Sequence, residues 1–147
     1  MREDSDSVEV KVILVAVDGS DYSEKAVQYG CAIGPPLGAE VILLHVVPRM
    51  VSATPYHDTM SDQPFLALQK VGEDILARAK KVAGPCQVTD LIDHGDPAAR
   101  IIEIADEREA DLIIMGSRGL SGIKRLFVGS ISDKVTNNAR CPVMVVR

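Results

Sequence analysis

The feature that most constrains this chain is a pair of nearly continuous aliphatic runs, Val10 to Val17 (VKVILVAV) and Glu40 to Val47 (EVILLHVV), with a helix-spaced segment between them. A strand with one face in water alternates polar and apolar residues. A run that is apolar at almost every position instead fits a strand covered on both faces, as in a parallel sheet sandwiched by helices. Asp18-Gly19-Ser20-Asp21 closes the first run with turn and N-cap residues, and Ser23 to Ile33 then carries Ala26, Val27, Cys31 and Ala32 at helical spacing. Gly34 to Gly38, which includes Pro35 and Pro36, is expected to end that helix.

The same alternation continues. Pro48 to Pro64 loses periodicity and reads as a long loop, and Phe65 to Val82 reads as a helix with apolar positions Leu68, Val71, Ile75, Leu76 and Ala79 and a basic last turn. Gly84-Pro85 stops it. Val88 to Ile92 is a short strand, and His94-Gly95-Asp96-Pro97 is a turn opening a helix whose inner face is Ile101, Ile102, Ile104 and Ala105 and which ends at Ala110. Asp111 to Met115 (DLIIM) is a fourth strand, Gly116 to Gly129 a glycine-rich loop, Ser130 to Asn138 a short helix and Pro142 to Val146 (PVMVV) a fifth strand. The order β-α-β-α-β-α-β-α-β predicts an α/β fold: an open parallel sheet with helices on both faces and right-handed crossovers.

A length of 147 residues suits one compact domain, taken as 10–147 behind a flexible N-terminal segment, 1–9. No stretch reaches the roughly 20 apolar residues of a membrane span, and MREDSDSVE lacks the basic start and apolar middle of a secretory signal, so a cytoplasmic protein with no membrane partner is expected. The formal net charge of −5 repels polyanions, and no nucleic-acid partner is expected. Cys31, Cys86 and Cys141 lack paired CxxC spacing and read as reduced, packed thiols. His45 reads as a core histidine, and His57 and His94 fall in loops with no spacing that joins them into a metal site.

The chemistry concentrates after the DLIIM strand. Gly116-Ser117-Arg118-Gly119 leaves that strand, and Gly129-Ser130 stands just before a helix. Glycine lets main-chain N–H groups approach a phosphate without an intervening Cβ, and the first turn of a helix offers unpaired N–H groups and the positive end of its dipole, with Ser130 as a candidate cap. Neither GxxxxGK[ST] nor GxGxxG after the first strand occurs, so this is neither a Walker-type loop nor a dinucleotide fingerprint. On spacing alone, glycines that merely serve tight turns explain the loop equally well.

Gly116-x2-Gly119-x9-Gly129-Ser130 resembles the nucleotide-binding signature of the ATP-binding universal stress proteins, and VKVILVAVDGSDYSEKAV, EVILLHVV, DHGDPAARII and ADLIIMGSRG match that family's usual segments in order. The similarity runs from Val10 to Arg147. It implies a Rossmann-like five-stranded sheet of order 3-2-1-4-5, a homodimer, and an adenine nucleotide (ATP, or AMP or ADP) over the carboxyl ends of strands 1 and 4. That position is also where the strand order of an open α/β sheet reverses. By resemblance Asp18 meets the ribose, Ala16, Val46 and Met115 line the adenine, and Gly116, Arg118 and Gly119 with Gly129, Ser130, Ile131 and Ser132 hold the phosphates. Mg²⁺ or Mn²⁺ would be carried through those phosphates rather than by a protein cage. Lys124 and Arg125 are equally consistent with an exposed basic loop. Ala16 departs from the family, many of whose members have proline there.

No second acidic group is tied by spacing to Asp18, which the binding role already occupies, so no catalytic residue is assigned and ATP hydrolysis would be slow at most. The expected function is a nucleotide-binding regulatory or stress-response module. The alternative is a dimeric interaction protein whose nucleotide is structural or absent. Pro142 to Val146 would lie at a sheet edge, apolar and uncharged, and self-pairing across a two-fold axis would cover it.

Overall fold

The computed structural model describes residues 7–49, 62–119 and 129–147. Strands β1 (Val12–Ala16), β2 (Glu40–Pro48), β3 (Val88–Gly95), β4 (Leu112–Gly116) and β5 (Val143–Val146) alternate with helices α1 (Asp21–Leu37), α2 (Asp62–Ala83), α3 (Pro97–Glu107) and α4 (Ser130–Asn138). The sheet has the order β3-β2-β1-β4-β5, and every pairing is parallel. The Rossmann-like α/β architecture expected from the aliphatic runs is therefore present.

The side-chain period of two divides those runs between two cores. Ile13 and Val15 of β1, with Val41 and Leu43 of β2, pack beneath α1 and α2 beside Val27, Ile75 and Ala79. Leu14, Ile42 and Leu44 turn the other way and pack with Ile101, Ile104 and Val135 of α3 and α4. Being buried on both faces is why β1 and β2 need no polar alternation. At the amino ends of the strands, Asp111 Oδ2 accepts the N–H groups of Lys11 and Val12 at 2.7 and 3.0 Å, joining β1 to the start of β4.

Several boundaries differ from expectation. Helix α1 does not stop before Gly34; it passes through Pro35 and Pro36 to Leu37. Proline's fixed φ is helical, and these two residues sit exposed in the last turn, where the loss of their N–H donors is tolerated. Gly38 ends the helix instead, at φ 67°, with its N–H bonded to the Pro35 carbonyl and that of Ala39 to the Gly34 carbonyl. Asp62, Gln63 and Pro64, read as loop, belong to α2. The rest of the Pro48 to Pro64 loop lies outside the described residues apart from Pro48, which ends β2, and Arg49. Strand β3 continues past Ile92 through His94 to Gly95, because every residue from Val88 to Gly95 finds a partner along the long strand β2. Helix α3 ends at Glu107 rather than Ala110, and Glu109 has a positive φ of 53°.

Candidate functional site

Above the carboxyl edge of the sheet lies a cavity of about 430 Å³. All eleven residues singled out in the sequence line it: Ala16, Asp18, Val46, Met115, Gly116, Arg118, Gly119, Gly129, Ser130, Ile131 and Ser132. They come from the ends of β1, β2 and β4 and the start of α4, which only the strand order brings together.

The acidic corner is built by the first turn of α1. Ser20 is the N-cap, with its hydroxyl accepting the Ser23 N–H at 3.2 Å, so helix capping falls to Ser20 and not to Asp18. Asp18 instead accepts from the Ser20 N–H and hydroxyl through one oxygen, Oδ1, at 2.9 and 2.5 Å. The other oxygen, Oδ2, faces Gly119, where a Cβ would stand 2.8 Å away. Gly19 makes this turn at φ 87°, a conformation that a side chain would strain.

The two described ends of the glycine loop meet at one carbonyl. Ser117 O accepts the Gly129 N–H at 2.6 Å and the Ser132 hydroxyl at 3.2 Å, while the Ser117 N–H donates to Val146 O of β5 at 2.7 Å. The Ser132 hydroxyl also reaches Gly129 O at 2.9 Å. Ser132 is thus buried as a brace for the loop, and what it can offer a ligand is its backbone N–H. Contrary to expectation, Ser130 does not cap α4. Gly129 is the N-cap and makes no side-chain cap hydrogen bond, so no cap side chain competes with an anion for the N–H groups of the first turn. Residues 120–128, including Lys124 and Arg125, lie outside the described residues.

The opposite side of the cavity is apolar. Leu44, Pro97 and Ile101 join Val46 and Met115, and α2 closes the wall with Leu68, Val71 and Ile75. These α2 residues had been read simply as a core stripe. Ile75 is buried, but Val71 is 50% exposed, because the stripe runs beyond the sheet's edge and ends over the cavity. The signal was present in the sequence as helical spacing; what it faced was not.

His45 is buried and satisfied as expected. Its Nδ1 lies 2.8 Å from the Val17 carbonyl, which can only accept, so Nδ1 carries the proton. His94 is on β3 rather than in a loop, stacked on Phe65 with ring centroids 5.2 Å apart, and its Nε2 lies 2.5 Å from Gln69 Oε1. His57 lies outside the described residues. Among the described residues no group of three or more His, Cys, Asp or Glu side chains could hold a metal ion, and no helix is long and apolar enough to cross a membrane.

Beside the cavity, burial would push the Asp93 carboxyl up. The His94 N–H at 2.8 Å and the Arg100 guanidinium at 2.6 Å outweigh it and hold the group below the usual carboxylate range.

A glycine-edged cavity at the switch point of an open parallel sheet, with helix N–H groups at one end and an apolar wall at the other, defines a Rossmann-like α/β protein with an anion-accepting site. Residues 9–147 match the universal stress protein family, and the chain belongs to it. It is 36% identical to universal stress protein YxiE of Bacillus subtilis, over 92% of this chain and 97% of that protein. The structure of universal stress protein UspA from Lactobacillus plantarum superposes with a TM-score of 0.75 at 28% identity, covering 96% of this chain and 100% of that one. A universal stress protein solved in complex with cAMP gives a TM-score of 0.62 at 28% identity, covering 95% and 98% of the two chains.

Proposed function

We propose that this chain binds an adenine nucleotide, with ATP as the first candidate, and serves as a nucleotide-dependent regulatory module of the stress response. One observation carries the reading. The Asp18 carboxylate, the glycines of the β4 exit and the uncapped start of α4 converge on a single cavity that is apolar on its far side. Such a site offers a hydroxyl acceptor for ribose, N–H donors for phosphate and a dry surface for a flat base. The relative solved with cAMP, itself an adenine nucleotide, supports the same ligand class.

In this reading Ala16, Val46 and Met115 contact the base, Asp18 the ribose, and Gly116, Arg118, Gly119 and Gly129 to Ser132 the phosphates. Mg²⁺ or Mn²⁺ would be held by phosphate oxygens and water, since the described residues supply no carboxylate cluster for it. With Oδ1 of Asp18 engaged by Ser20, turnover would be slow at most. The molecule would act as a homodimer paired along Pro142 to Val146, where β5 forms the outer strand of the sheet.

Calorimetry with ATP and Mg²⁺ should detect binding, and protein denatured after purification should release an adenine nucleotide. Gly129→Val should abolish that binding in a folded protein, because a Cβ there already lies 3.1 Å from the Ser117 carbonyl and the branched side chain fills the phosphate end. Silence in both binding measurements, or unchanged affinity in the folded variant, rejects the reading.

A further inference from the structure

Outside the cavity, the fold brings together two nucleophilic side chains that are distant in sequence. Cys31 lies on α1 beside buried Gly30 and Val27, and Cys86 lies in the turn after α2, where its N–H donates to the Ala83 carbonyl at 3.2 Å. Both are half-buried and pack against the same core on the α1 and α2 face of the sheet. Their sulfurs are neighbours, with Cys86 close enough to act on the Cys31 thiol as a hydrogen-bonding partner. Cys141 packs against the core on the opposite face, so the sheet separates it from the pair.

We propose that Cys31 and Cys86 form an oxidisable dithiol, which a hydroperoxide converts to an intramolecular disulfide tying α1 to the turn between α2 and β3. Neither thiol is needed by the cavity, so the inference stands apart from the nucleotide reading.

The chemistry balances in two steps. The Cys86 thiolate attacks the terminal oxygen of the hydroperoxide; an S–O bond forms, the O–O bond breaks, and the alcohol, or water from hydrogen peroxide, leaves with a proton. The Cys31 sulfur then attacks the Cys86 sulfur. An S–S bond forms, the S–O bond breaks, and hydroxide departs with the Cys31 proton as water. The sulfur pair loses two electrons and the peroxide gains them. Burial, and then the adjoining Cys86 sulfur, push the Cys31 thiol up to about 12, which leaves Cys86 as the sulfur that attacks first.

The test uses the full chain carrying Cys141→Ser, reduced, freed of reductant and treated with hydrogen peroxide. The intact mass should fall by about 2 Da, both remaining thiols should become inert to a thiol reagent together, and dithiothreitol should restore both. A non-reducing peptide map should join the peptide bearing Cys31 to the one bearing Cys86. Adding Cys31→Ser should replace the mass loss with gained oxygen or a link between molecules. The proposal is overturned if the parent protein itself gains oxygen or cross-links between molecules without the intramolecular bond. That result needs only the Cys141→Ser protein, so it holds whether or not the second variant folds.

Discussion

A methyl group on Gly119 would stand 2.8 Å from Oδ2 of Asp18, while the other oxygen of that carboxylate is held by the Ser20 N–H and hydroxyl. The carboxylate cannot swing aside without breaking those bonds. Gly119→Ala should therefore weaken ATP binding on the order of tenfold, about 1.4 kcal/mol, with little loss of stability. Titration calorimetry beside a urea melt separates the two effects, and equal affinity would place the ligand elsewhere.

Ser20→Ala removes the α1 cap and releases Oδ1 of Asp18 in one change. Loss of the cap should cost about 1 kcal/mol of folding stability. Because the same hydroxyl orients the carboxylate, nucleotide affinity should fall as well. A variant destabilised by that amount but unaltered in affinity would show that the orientation of Asp18 is irrelevant to the ligand.

Gly72 of α2 packs on the edge of the His45 ring, where a Cβ would meet Cδ2 at 2.7 Å and Ile92 Cδ1 at 3.0 Å. His45 is pinned by Val17, so the ring has little room to yield. Alanine ordinarily strengthens a helix by roughly 0.5–1 kcal/mol over glycine, but overpacking here should exceed that gain at about 1–3 kcal/mol. Gly72→Ala should lower the urea midpoint. A rise would mean that α2 shifts freely.

Acid should expose the Asp93 pair. The folded-state value lies below the ordinary 3.8, so the unfolded chain takes up this proton first as pH falls. The pair's contribution is present above the unfolded value and disappears as pH drops through the folded one. Asp93→Asn should therefore flatten the stability profile below about pH 4 and cost on the order of 1 kcal/mol at neutral pH, as expected for a partly screened pair. Melts at pH 3 and pH 7 compare the slopes; parallel profiles would assign the acid sensitivity to other groups.

At the sheet's outer edge, Val145→Lys places a charge on β5, which pairs only with β4 among the described residues. If β5 pairs with its counterpart in a dimer, the dissociation constant should rise at least about tenfold, and the sedimenting species should move to monomer at micromolar concentration. A wild-type chain that is already monomeric there would refute the dimer.

The elements that can be read directly are those whose signal is local. Burial on both faces writes itself as the unbroken aliphatic runs of β1 and β2, and the Asp96-Pro97 start of α3 combines a cap with proline at N1. The glycines of the β4 exit were visible as well, together with a family pattern that indicated their neighbourhood. Local signals misled where a neighbour decided the outcome. Gly38, not the proline pair, ended α1, and the length of β2 rather than the composition of His94-Gly95 set the end of β3.

By itself, then, the sequence determined the alternation of strands and helices, the doubly covered sheet and the residue types able to receive phosphate, because these depend on periodicity and backbone freedom within a few residues. Only the tertiary structure decided that Oδ2 of Asp18 faces Gly119, that one Ser117 carbonyl joins both ends of the loop, that the α2 stripe ends over the cavity and that Cys86 adjoins Cys31. Those relationships join residues distant along the chain, and they arise from strand order and helix packing, which no local pattern encodes.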